Sequence, residues 1–168
     1  RDERQEESVR KWLKNKGKGC LECATGYGKS RCCLMIIKKL LTKYPDLRVL
    51  IVVPTELLKN QWLNHIEVNQ LQLNVEVQVI NGVAKNGGLC DLLVIDEAQE
   101  YQDDQESALK YTIVSSDNPQ TIYLGTPPTV YSSGTIFPNF RMKVLCGEMK
   151  NAGWAEWSVE EESDINNV

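Results

Sequence analysis

Leu21-Glu22-Cys23-Ala24-Thr25-Gly26-Tyr27-Gly28-Lys29-Ser30 decides the fold. An apolar entry, two glycines spaced by one residue and Gly-Lys-Ser before a helical run read as a strand, a phosphate-cradling turn and a helix start. Gly26 and Gly28 allow positive φ and close approach of backbone to an anion. The N–H groups of the loop and of the following first turn then converge on that anion. Lys29 supplies a point charge for the β- and γ-phosphates, and the Ser30 hydroxyl is a hard oxygen ligand suited to Mg²⁺. Cys23 stands where a strict pattern has glycine, so the loop alone reads equally as an ordinary glycine turn.

A second stretch settles the choice. Leu92-Leu93-Val94-Ile95 runs straight into Asp96-Glu97-Ala98-Gln99, as a buried parallel strand does where it ends at an active site. Asp96 is expected to hold Mg²⁺ through water, and Glu97 to orient and polarise the attacking water. Together and in this order the two stretches point to hydrolysis of ATP.

Strands alternate with helices along the whole chain. Cys20–Ala24, Arg48–Val53, Val75–Ile80, Leu92–Ile95, Thr121–Gly125 and Trp154–Val159 read as strands. Residues 5–16, Lys29–Tyr44, Glu56–Ile66, most of Ala98–Val114 and Ile136–Leu145 read as helices, with Asn86-Gly87-Gly88 a turn. On Glu56–Ile66 the residues Leu57, Leu58, Trp62, Leu63 and Ile66 are expected to face inward. His65, the one histidine, reads as a surface or packing residue. The pattern predicts an α/β fold with a mostly parallel central sheet and the phosphate loop at its carboxyl edge.

Residues 1–160 fit one domain, followed by an acidic tail, 161–168, expected to lead to a further domain. The opening Arg1-Asp2-Glu3-Arg4 is neither a signal peptide nor an initiator methionine, which reads as an excised fragment. No apolar run approaches the ~20 residues of a membrane span. Residues 1–60 carry 14 Lys and Arg against 7 Asp and Glu, net +7, while residues 61–168 carry 5 against 16, net −11, which together give −4. A basic front half suits a nucleic-acid surface, although solvated helix faces explain any single cluster. Cys20 and Cys23 have metal-ligand spacing, but with Cys32 and Cys33 they bracket the loop and read as reduced core residues in an intracellular setting.

Two family resemblances rest on these residues. From about Arg4 to Gln99 the chain resembles the first RecA-like domain of a superfamily 2 helicase or translocase. Ala24-Thr25-Gly26-Tyr27-Gly28-Lys29-Ser30 is similar to its motif I, Val52-Val53-Pro54-Thr55 with Leu58 and Gln61-Trp62 to its motif Ia, and Asp96-Glu97-Ala98-Gln99 to its DEAH-type box. Gln5 stands where the resemblance implies an adenine-reading glutamine, and Pro54 and Thr55 where it implies a nucleic-acid contact. From about Asp91 onward the chain resembles the ATPase domain of a phage large terminase subunit. That likeness lies in Val94 to Asp104, in Tyr123-Leu124-Gly125-Thr126-Pro127-Pro128-Thr129, in Ser132-Ser133-Gly134-Thr135 and in Trp154-Ala155-Glu156-Trp157-Ser158. Gly125-Thr126-Pro127 departs from the helicase motif III and suits a terminase coupling motif, with Gln99 and Thr126 expected near the γ-phosphate at neighbouring strand ends.

Both resemblances imply a three-layer RecA-like P-loop ATPase using ATP and Mg²⁺. The terminase resemblance implies a DNA-packaging motor in the cytoplasm of an infected or lysogenic bacterial host. Its implied partners are double-stranded DNA, a homo-oligomeric ring, or a portal or small terminase partner. The alternatives are the helicase reading and an ATP-binding assembly module with little turnover. A metabolic P-loop kinase fits less well, because a water-activating Glu97 is what a kinase must avoid. An arginine to complete the site is expected from another domain or protomer, since Arg1, Arg4, Arg10, Arg31, Arg48 and Arg141 are the few within the chain.

Overall fold

The computed structural model describes residues 2–14, 19–23, 26, 28–86, 88–126, 132, 134–149, 152 and 154–157, with the backbone alone for residues 2, 19–23, 84–86 and 154–157. Ala24, Thr25 and Tyr27, the stretch 127–131 and the tail from 158 onward lie outside the described residues.

Twelve elements follow in order: α1 (Asp2–Lys14), β1 (Gly19–Cys23), α2 (Lys29–Lys43), β2 (Val49–Val53), α3 (Glu56–Val68), β3 (Val75–Val79), α4 (Ile80–Asn86), β4 (Leu92–Ile95), α5 (Asp103–Lys110), β5 (Gln120–Gly125), α6 (Ile136–Leu145) and β6 (Trp154–Trp157). Short 3₁₀ turns at Ala98–Glu100 and Tyr111–Ile113 flank α5. The strands form one sheet in the order β3-β2-β4-β5-β1-β6, and every pairing is parallel. Parallel neighbours need crossover connections, and helices supply them on both faces.

The strand sequences explain the three layers. Successive side chains point to opposite faces, so Val49, Ile51 and Val53 of β2 enter one core and Leu50 and Val52 the other. The first core joins these to Val9 and Trp12 of α1, Cys32, Cys33, Ile36 and Ile37 of α2, and Trp62 and Ile66 of α3. The second contains Ile80 and Val83 of α4, Leu109 of α5, Ile136 and Phe137 of α6, with Tyr101. β2 and β4 have no exposed residue, as an apolar run covered on both faces requires. The expectation of a three-layer α/β fold with a parallel sheet is met.

Three details differ from the sequence reading. α4 takes the end of the expected third strand and the residues before the expected turn, because Ile80 and Val83 are drawn into the second core. The run from Ala98 to Val114 is not one helix. It breaks at Tyr101-Gln102, where Gln102 and Gln105 form a reciprocal capping box that starts α5 afresh. On α3 only Trp62 and Ile66 are fully buried, whereas Leu57 (70 % exposed) and Leu63 (43 %) face outward.

Every strand end bearing a motif lies on one edge. β1 delivers the phosphate loop, β2 delivers Pro54 and Thr55, β4 delivers Asp96 and Glu97, and β5 ends at Gly125 before Thr126. Because β5 lies between β1 and β4, its carboxyl end sits between the phosphate loop and the two carboxylates.

Candidate active site

The loop places two glycines at backbone conformations that other residues resist. Gly26 has φ 79° and Gly28 has φ 95°, both in the left-handed region where a Cβ is penalised. At Gly26 a Cβ would meet nothing within 4 Å, so conformation and not space demands glycine there. Gly28 is the residue before α2, and its carbonyl accepts from Cys32 N. The first-turn N–H groups of α2 have no partners within the helix, and they carry its positive dipole end. Lys29 and Ser30 open that turn and line a cavity of about 250 Å³ with Gly26, Gly28, Asp96 and Glu97.

Asp96 forms the floor of the cavity and is 4 % exposed. Trp62 Nε1 donates to its Oδ2 at 2.7 Å. Burial nevertheless raises its pKa above the ordinary carboxylate value, with the neighbouring Glu97 charge adding to the shift and the Trp62 bond and Lys29 charge opposing it. A carboxylate so held is short of positive charge, which a divalent cation supplies.

Glu97 has φ 51° and ψ 48°. A non-glycine residue in this conformation costs of order 1–3 kcal/mol, a strain that concentrates at functional sites. The turn lifts the Glu97 side chain off the strand direction and into the cavity. Gln99 Nε2 donates to Glu97 Oε2 at 2.7 Å, and Gln99 Oε1 accepts from Thr126 N at 3.2 Å. Gln99, 6 % exposed, thus joins the ends of β4 and β5. A Cβ on Gly125 would fall 2.7 Å from Phe137 Cζ and 3.0 Å from Gln99 Oε1, so the absence of a side chain there makes room for the link.

The segment before α6 grips the same turn. Gly134 N donates to Gln99 O at 3.1 Å, Thr135 N to Tyr101 O at 3.0 Å, and Thr135 Oγ1 to Asp103 Oδ1 at 3.0 Å.

The remaining candidates are dispersed. Ala24, Thr25 and Tyr27 lie outside the described residues. Gln5 is fully buried in α1 and does not line the cavity. Thr55 is exposed, and its hydroxyl caps α3 by accepting from Leu58 N. Pro54 precedes it, half-buried. Arg48 pairs with Asp91 where β2 and β4 begin, on the sheet edge opposite the cavity. Cys32, Cys33 and Cys90 are buried free thiols.

The sequence reading missed one wall of the cavity. Leu58, Gln61, Trp62 and His65 line it from α3, and His65 meets the Trp62 ring edge-on at 6.4 Å between centroids. Their spacing, i, i+3, i+4, i+7, marks a single helical stripe. Once motif Ia places α3 beside the strand ends, that stripe was the available signal.

The fold is that of a RecA-like domain. Residues 2–134 match the family model described as Type III restriction enzyme, res subunit, and the chain belongs to that family. One family therefore spans the front half and most of the stretch that resembles a terminase. No curated protein matches the sequence. Among solved structures, the Hef helicase domain of Pyrococcus furiosus is similar at 20 % identity, 94 % of this chain, 38 % of that one and TM-score 0.66. The HK97 bacteriophage large terminase is similar at 14 % identity, 96 % of this chain, 40 % of that one and TM-score 0.75. The Sulfolobus solfataricus SWI2/SNF2 ATPase core in complex with dsDNA matches at 18 % identity, 74 % and 31 % coverage and TM-score 0.58. The chain spans about two-fifths or less of these structures, and at such identities the likeness is one of fold. Among the described residues, no helix is long and apolar enough to cross a membrane.

Proposed function

We propose that the chain is the ATP-hydrolysing motor domain of a larger enzyme that moves double-stranded DNA. The observation that carries this reading is the single cavity shared by Lys29 and Ser30 from the head of α2 and Asp96 and Glu97 from the end of β4. In it Lys29 and the N–H groups of the α2 first turn bind the triphosphate, and Glu97, oriented by Gln99, takes the proton of the attacking water. The residues fit magnesium. Among the described residues no cluster of three His, Cys, Asp or Glu could enclose a metal, and Mg²⁺ is ordinarily held by one or two protein oxygens together with phosphates. Ser30 and Asp96 would hold it, and it would supply positive charge to the β- and γ-phosphate oxygens. Gln5 is the candidate for reading adenine, and Pro54 and Thr55 for contacting nucleic acid.

Membership in the restriction-enzyme res-subunit family favours a helicase-type translocase as the parent enzyme. The second reading, a DNA-packaging terminase acting in a bacterial host with a ring of copies, a portal or a small terminase partner, is favoured by the 0.75 TM-score over 96 % of the chain. ATP turnover by the chain, alone and with duplex DNA, tests the shared proposal. Lys29→Ala is expected to weaken ATP binding. Glu97→Gln should retain binding and slow hydrolysis by ~10²–10⁴-fold. Parent-rate hydrolysis by Glu97→Gln would overturn the catalytic assignment.

A further inference from the structure

The link between Trp62 and Asp96 crosses from one element to another at the heart of the cavity. Asp96 Oδ2 accepts from Trp62 Nε1 at 2.7 Å. Both side chains are buried, Trp62 at 2 % exposure and Asp96 at 4 %. The Trp62 ring belongs to the first core, and His65 stands against its edge. Trp62 therefore offers a donor whose position the sheet and α3 fix together. A carboxylate has about four lone-pair sites and a freely rotating terminal torsion. Trp62 occupies one of these sites, on Oδ2. Asp96 lines the same cavity as Lys29 and Ser30.

We propose that Trp62 is a positioning residue for the metal: its indole N–H locks the Asp96 carboxylate in the rotamer that presents a free oxygen to a divalent cation bound with the triphosphate. This deepens the proposed function and rests on it. A partner of this kind, one shell out from the ion, commonly sets 10–100-fold in metal affinity. Trp62 lies on α3, whose first turn follows Pro54 and Thr55. A shift of α3 would thus move the indole and, with it, the metal's carboxylate.

The test uses Mn²⁺ as the probe, with its binding followed by electron paramagnetic resonance in the presence of the non-hydrolysable analogue AMP-PNP. Trp62→Phe keeps an aromatic ring and removes the donor. Its Mn²⁺ affinity should fall 10–100-fold, well beyond any change in AMP-PNP affinity measured in EDTA. Trp62→His, which restores a ring N–H, should recover part of the loss. Equal losses of metal and nucleotide affinity in Trp62→Phe, or none in either, would overturn the proposal. Because that substitution also removes core volume, a second measurement uses the parent ring. In ¹⁵N-labelled protein the Trp62 indole N–H resonance should lie downfield and exchange slowly, and both properties should vanish in Asp96→Ala. An indole signal indifferent to Asp96→Ala would equally overturn the proposal. A parent chain that binds no nucleotide defeats the proposed function, and the metal role with it. A failure confined to the variants defeats the role of Trp62 alone.

Discussion

Asp96→Asn should make the metal-free protein more stable while destroying the function proposed for it. Burial is the largest cause of the raised Asp96 pKa, Glu97 adds repulsion, and the Trp62 bond with the Lys29 charge offsets only part. The folded protein thus favours the neutral form over the charged one. Asparagine imitates that neutral form in shape and keeps an acceptor for Trp62. The loss is the difference between a charge-assisted and a neutral hydrogen bond, about 1 kcal/mol, together with the attraction of Lys29. The gain is the desolvation of a carboxylate left 4 % exposed. Because the direction of the pKa shift already sums these contributions, the net is a gain. Single stabilising substitutions commonly yield roughly 0.5–2 kcal/mol. For a domain of this size that is about 1–8 °C in Tm.

Thermal unfolding in EDTA near pH 7 measures the effect. The folded-state pKa lies above the unfolded 3.8, so the penalty is present in full above the folded pKa. It is relieved as pH falls through that value towards 3.8, where the parent too becomes neutral. The advantage of Asp96→Asn should shrink over the same window. With Mg²⁺ and nucleotide the order should reverse, since the parent then gains more from binding. An Asp96→Asn protein that melts at or below the parent in EDTA at pH 7 would refute the reasoning.

Gly134→Ala should lower Tm by several degrees, because its Cβ would lie 2.2 Å from the Gln99 carbonyl oxygen and overpacking against backbone costs about 1–3 kcal/mol. An unchanged Tm would mean that the 134–135 segment yields freely. Gln99→Ala removes one charge-assisted and one backbone bond, worth roughly 2–4 kcal/mol together; steady-state kinetics should show kcat falling more than KM rises. Asp91→Asn should lower Tm slightly at neutral pH. The Arg48 bonds hold the Asp91 pKa down at about 2 against 3.8 unfolded, so that contribution is present above 3.8 and is lost as pH falls towards 2. Melting curves for the pair across this range should converge at the acid end.

The parts of this fold that were legible in the sequence are those governed by local chemistry. β2, β4 and β5 were marked by apolar runs ending at proline, a carboxylate or glycine, β3 and β6 by alternation of apolar and polar residues, and Gly26, Gly28, Lys29, Ser30, Asp96 and Glu97 were singled out by type and spacing. α4 was not legible. Ile-Asn-Gly-Val-Ala-Lys-Asn is weak in helix propensity, and only burial of Ile80 and Val83 against the sheet holds it. The inward face of α3 was misjudged because Leu57 and Leu63 are apolar yet fall outside the contact with the sheet. The bond from Trp62 to Asp96 joins residues 34 apart. No spacing rule reaches it, since it depends on how α3 crosses the ends of β2 and β4.

The place of β1 in the sheet bears on the order in which this protein can come into being. Its two neighbours are β5 and β6. Gly19 pairs with Ile122, and Cys20 lies opposite Trp154, so the strand that ends in the phosphate loop waits for partners over a hundred residues downstream. β2, β3 and β4 can zip together while β1 still has an empty berth beside it. A chain emerging from the ribosome would therefore build its carboxylate end first and its phosphate loop last. Competence to take up a nucleotide becomes a certificate of completed synthesis: a product that stops short of β5 keeps the Gly-Tyr-Gly-Lys-Ser sequence but has nowhere to seat it.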